Sequence, residues 1–142
     1  MQSRKRGALL TRSLRGDADI FCLAMEQTFT AGDDLIFQLE SGFGLLRVIS
    51  IDENQAGTTW HLMAYEEFFP DVESAERALA EADSLHIRKD HMALTTRAFE
   101  RTPAARLGNR PVTDGELAAY RNWVESGGEV SDRSALLMLG IR

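Results

Sequence analysis

The sequence predicts an α+β fold, a twisted antiparallel sheet or partly open small barrel flanked by two or three helices. Three observations lead there. Residues 34–69 read as three successive strands, DLIFQLE, FGLLRVISID and TTWHLMAYEEFF, joined by turns at Glu40-Ser41-Gly42 and within Asp52-Glu53-Asn54-Gln55-Ala56-Gly57. Further along, Thr113-Asp114-Gly115-Glu116 has the spacing of a capping box ahead of an apolar run. The chain has 142 residues and 44% hydrophobic content, enough for one core without disulfide or metal staples.

Taken in order, residues 1–16 read as a basic N-terminal arm, and residues 17–142 as a single α+β domain. The stretch 20–29 is too continuously apolar for a clean alternation and too short for a well-signed helix. Thr30-Ala31-Gly32-Asp33 is a turn that launches the meander. In the first strand Leu35, Phe37 and Leu39 alternate with Asp34, Gln38 and Glu40, and Ile36 is the one exception. A half-buried strand has this period of two. After Pro70, Asp71 is placed to accept from the free amides of a helix whose Val72, Ala75, Leu79 and Ala82 share a face. Residues 84–100 predict two short strands, around Leu85-Ile87 and over 92–99, turning at Arg88-Lys89-Asp90. Residues 102–110 form a proline- and arginine-bearing loop. The capped helix then buries Leu117, Tyr120 and Val124 with Trp123 beside them, and Gly127-Gly128 ends it. The apolar tail from Ser134 must dock on the core or on a second copy of the chain, which makes a homodimer through this segment an expectation.

Charge is unevenly distributed. Residues 1–15 hold Arg4, Lys5, Arg6, Arg12 and Arg15 and no acid. Residues 50–83 hold nine acids against Arg77, a net of −8, and residues 84–110 return to a net of +4. An overall charge of −6 disfavours general affinity for nucleic acid, where phosphate neutralisation dominates. The acidic middle favours encounter with a basic protein partner. No apolar run approaches the ~20 residues of a membrane span. Ala8-Leu9-Leu10 is also far shorter than the roughly 7–15 residues of a secretory core, so a cytoplasmic location is the expectation. Cys22 is the only cysteine, which leaves no internal disulfide and points to a buried thiol.

The chemistry-bearing residues give no catalytic signature. Glu66 and Glu67 are adjacent, so a regular strand sends them to opposite faces and only a bulge lets them share a substrate. His61, His86 and His91 are the only histidines and lack zinc-type ligand spacing, so no metal site is expected. His61, between Trp60 and Leu62, reads as a satisfied core or interface imidazole. A hairpin at Arg88-Lys89-Asp90 would fold His86 onto His91. Gly42-Phe43-Gly44 is half of a dinucleotide fingerprint, but Arg47 holds the third glycine position and a strand follows, so no cofactor is implied. Arg47 itself lies in a strand apolar on both faces, where pairing with a carboxylate at a sheet edge is expected.

Gly32-Asp33-Asp34-Leu35-Ile36-Phe37-Gln38-Leu39 followed by Ser41-Gly42-Phe43-Gly44-Leu45-Leu46-Arg47-Val48 resembles the opening of the immunity protein 26 family, with its G-D-x-hydrophobic strand, glycine turn and strand ending in Gly-Arg-Val. Leu46 departs from that pattern, standing where the family has glycine. Residues 107–113, with Glu116, Leu117, Tyr120 and Trp123, resemble the tail of bacterial proteins of similar build. Together the likenesses cover about half the chain. The family resemblance implies a non-enzymatic, bacterial, toxin-binding domain. The expected partner-binding residues are Trp60, Glu66, Glu67, Asp71, Glu73 and Glu76, where aromatics adjoin acids. Two rival readings are a small hydrolase-like enzyme using His61 and His91 with carboxylates, and a nucleic-acid accessory protein using the arm and residues 84–110. Phe99 is the only aromatic for base stacking in that basic stretch.

Overall fold

A computed structural model describes residues 28–140 of the chain. The expected arm over 1–16, Cys22 and most of the stretch 20–29 lie outside the described residues. The meander forms as read: β1 (Asp33–Leu39), β2 (Gly42–Asn54) and β3 (Gly57–Phe69) pair antiparallel in sequence order. Gly57 has a φ of 129°, which makes the tight β2–β3 turn accessible to it and strained for other residues.

Next come α1 (Val72–Leu79), a 3₁₀ turn (Ala82–Ser84), β4 (Ile87–Thr95), α2 (Thr96–Glu100), β5 (Ala104–Asn109), α3 (Asp114–Glu125) and α4 (Ala135–Leu139). The five strands form one antiparallel sheet in the order β4-β3-β2-β1-β5. It is open, so of the two forms expected from the sequence the antiparallel sheet is the one present and the small barrel is not. Helices occupy both faces instead, leaving no interior for a barrel to enclose. The described residues hold four α-helices rather than two or three, and two of them are only five residues long.

One face of the sheet buries Leu35, Phe37, Leu46, Val48 and Leu62 against Ala98 and Phe99 of α2 and Ala135 and Leu139 of α4, with Leu39 packed at its margin. The other buries Ile36, Leu45, Ile49, Met63 and Tyr65 against Val72, Ala75 and Leu79 of α1 and Leu117 and Tyr120 of α3. Ile36 breaks the alternation because its side of the strand is also covered. Full burial of a Leu or Ile contributes about 1.5–3 kcal/mol, so each such position in the central strands matters to the fold.

Several sequence expectations change. Residues 87–95 form one strand running through Arg88-Lys89-Asp90 without a turn, and Thr95 then caps α2 by accepting from the Ala98 amide. The loop expected over 102–110 contains β5, whose Leu35–Arg106, Ile36–Ala105 and Phe37–Ala104 pairings complete the sheet beside β1. Pro103 precedes that strand, where its missing N–H removes no ladder bond. Helix α1 ends before Ala82, which lies in the 3₁₀ turn. Val124 is 51% exposed and leaves the expected stripe of α3, because Glu116, Leu117, Tyr120 and Trp123 are the residues that turn toward the sheet side. The tail docks on its own chain through Ala135 and Leu139, with Leu137 outward. None of the described helices is long and apolar enough to cross a membrane.

Candidate functional site

Helix α3 lies on the sheet with no fully buried residue, and Glu116, Tyr120 and Trp123 make its polar and aromatic contacts to the strands. Spacings of four and three residues place these side chains on one stripe. The helix starts at the expected cap: Thr113 Oγ1 accepts from the Glu116 amide and Glu116 Oε1 accepts from the Thr113 amide.

At the first contact, Arg47 is fully buried in the central strand β2, not at a sheet edge. Its guanidinium donates to Glu116 Oε2 at 2.7 Å, to Asp34 Oδ1 at 3.2 Å and to the carbonyls of Gly32, Arg110 and Pro111. Arg110 completes the cluster by donating to both oxygens of Asp34 and to the Tyr65 hydroxyl. Burial raises the Glu116 carboxyl, but hydrogen bonds from Arg47 and Thr113 more than reverse that and hold it low. The Asp34 contact holds Arg110 firmly charged. The expected carboxylate pairing of Arg47 is present. Its donors are all occupied within the fold, so its role is to tie α3, β1 and the segment before α3 together.

At the second contact, pairing of β3 with β4 carries His91 onto His61, and the β2–β3 hairpin brings Asp52 to the other side of His61. His61 Nδ1 lies 2.9 Å from His91 Nε2, and His61 Nε2 lies 3.0 Å from Asp52 Oδ2. Tyr120 donates to the same Asp52 oxygen at 2.8 Å, and Trp123 meets the His61 ring edge-on with centroids 4.7 Å apart. Burial holds His61 neutral by lowering its proton affinity. Burial and then the neighbouring His61 lower His91 to about 4. Partial burial raises Asp52, and hydrogen bonds from Tyr120 and Ser50 with the His61 contact bring it below its ordinary value. With Asp52 ionised, the network sets the tautomers: His61 donates through Nε2 and accepts at Nδ1 from His91. Chemically this is a hydrogen-bonded line that runs from His91 through His61 to Asp52. Both nitrogens of His61 are engaged and the residue is fully buried, as expected for a satisfied imidazole. His86 does not join His91; it lies at the exposed end of β4's approach, with its Nδ1 2.5 Å from Glu67 Oε2. The hydrogen bond to Glu67 raises His86.

The expected partner-binding residues fall into two groups. Glu66, Asp71, Glu73 and Glu76 are exposed and Glu67 half-buried, at the end of β3 and along α1, and Phe68 among them is 47% exposed. Glu66 and Glu67 have separate surroundings: Glu67 holds His86, while Glu66 stands exposed. Asp71 caps α1 by accepting from the Ser74 amide at 2.7 Å. Trp60 lies toward the other end of β3, half-buried and stacked on Phe99 at 4.2 Å, apart from the acids by six strand residues or roughly 20 Å. Sequence reading missed Asp52, Tyr120 and Trp123 as neighbours of the histidines. The signal was present in part, since antiparallel pairing of two strands carrying His61 and His91 allows same-face neighbours. Among the described residues no group of three or more His, Cys, Asp or Glu side chains is placed to hold a metal ion. No protein-family model, curated protein or solved structure matches this chain.

Proposed function

We propose that this chain is a non-enzymatic protein-binding domain, acting in the cytoplasm as an immunity-type inhibitor of a basic protein such as a bacterial toxin. The observation that carries the reading is the end of β3 and start of α1, where Glu66, Asp71, Glu73 and Glu76 are exposed in the same short stretch as the half-exposed ring of Phe68. An aromatic anchor within a carboxylate rim supplies buried area on association and a field that steers a basic partner. The resemblance of residues 32–48 to immunity protein 26 proteins supports the same reading. The engagement of Arg47 and His61 by partners inside the fold supports a structural role for both.

The test begins with identifying the partner by pull-down and confirming a direct complex with purified components. Association rates are then measured against ionic strength for the wild type and for Glu66→Lys with Glu73→Lys. The wild-type rate should fall steeply with salt, and the double variant should associate more slowly with a flatter dependence. Identical salt slopes would remove the acidic end of the sheet from recognition.

A further inference from the structure

On the face of the sheet opposite α3, a cavity of about 440 Å³ opens between the β2–β3 hairpin, the α2–β5 connection and the segment leading into β1. Ile51 and Glu53 of β2, Thr58 and Trp60 of β3, Phe99 and Glu100 of α2 and the following Thr102 contribute to its wall, with Phe29 from the leading segment. Three aromatic rings meet there. Trp60 and Phe99 stack with an interplanar angle of 8°, and Phe29 stands edge-on to both at 6.3 and 5.6 Å between centroids. Among the described residues, two of those that line it are glutamates and none is Lys, Arg or His.

We propose that this cavity binds a small organic cation, an ammonium or guanidinium group carried on an apolar or aromatic stem. Aromatic faces carry the negative part of a quadrupole and attract cations, and the two carboxylates add charge of the same sense. The cluster already accepts one cation at its margin: the Arg106 guanidinium carbon lies 5.7 Å from the Phe29 centroid, with its charge met by Asp33 at 3.0 Å. The cavity volume is that of a small-molecule site, well above what one lysine or arginine side chain fills. Phosphates and carboxylic acids are disfavoured by Glu53 and Glu100, both exposed at the rim, and a purely apolar guest makes no use of either carboxylate. The site lies away from the acidic end of β3 and does not depend on a protein partner.

The test uses the full chain with Trp123→Phe, which leaves Trp60 as the only tryptophan, after circular dichroism has confirmed an unchanged fold. Titration with 2-phenylethylammonium should give a saturable change in Trp60 fluorescence with a Kd of about 1 mM or tighter. The neutral isostere 2-phenylethanol should bind about tenfold more weakly. Glu53→Gln with Glu100→Gln should weaken the ammonium about tenfold and leave the alcohol unchanged. Equal affinities for the two probes, an unaffected double variant, or no saturation by about 20 mM would overturn the proposal. An Nα-acetyl-lysine methylamide arm separates the sources: tighter binding than the free amine would assign the pocket to a side chain of another protein and overturn the small-molecule assignment.

Discussion

Lowering the pH from 7 to 5 protonates His91 in the unfolded chain, while the folded chain holds it neutral. Its ordinary value is 6.5 and the fold lowers it to about 4, through burial first and then the neighbouring His61 ring, with Lys89 adding to the effect and Asp90 opposing it. Because the unfolded state binds more protons in this window, stability falls as pH falls; it is fully present above 6.5 and lost on descent to about 4. The whole difference corresponds to about 3 kcal/mol, of which about 2 kcal/mol is lost by pH 5. His61 is lowered as well and adds in the same direction, with Asp52 and Tyr120 facing it from β2 and α3. Glu116 and Asp52, also held low, lose their contribution only at still lower pH, below their ordinary values of 4.5 and 3.8. His86 is raised and gains stability as pH falls, but it is remote from the substitution and cancels in the comparison. The perturbation is His91→Gln, whose amide keeps a donor for His61 Nδ1. Urea midpoints at pH 7 and pH 5 should show the variant losing about 2 kcal/mol less than the wild type across that interval. Parallel losses in the two proteins would refute the coupling between the histidine pair and stability.

Three further outcomes follow from the packing. Arg47→Leu removes the donors to Glu116 Oε2 and to the Arg110 and Pro111 carbonyls beneath α3 and should cost about 3–5 kcal/mol by urea denaturation; a loss under about 1 kcal/mol would show that Arg47 is not the tie between α3 and the sheet. Thr113→Ala removes the acceptor of the Glu116 amide and should cost about 0.5–2 kcal/mol, so an unchanged midpoint would place the helix start elsewhere. Gly32 has a φ of 93°, and a Cβ there would lie 2.4 Å from the Arg110 carbonyl oxygen. Gly32→Ala should therefore cost about 1–3 kcal/mol, and a neutral result would mean that the backbone around Arg110 yields freely.

The central meander and the starts of α1 and α3 were legible because their signals are local. Alternation of period two, a turn glycine and a cap three residues from its amide are fixed by backbone geometry within one element. The same locality limited the reading. β5 carries the weak pattern Ala-Ala-Arg-Leu-Gly-Asn, which becomes a strand only because β1 supplies its hydrogen-bonding partner. Residues 88–90 look like a turn by charge, yet β3 holds them extended at the exposed end of β4.

The candidate sites divide in the same way. Exposure of Glu66, Asp71, Glu73 and Glu76 matches the charge run in the chain, since consecutive carboxylates avoid the desolvation that burial would impose. The contacts of His61 with Asp52, His91 and Tyr120, and the meeting of Phe29, Trp60 and Phe99 around one cavity, depend on strand register and on where α2 and α3 land. An α+β chain with an antiparallel meander, a capped helix and an acidic stretch can be read from local pattern alone. Which polar groups meet depends on the folded chain, because side chains distant in sequence become neighbours through long-range pairing and packing, which no local periodicity encodes.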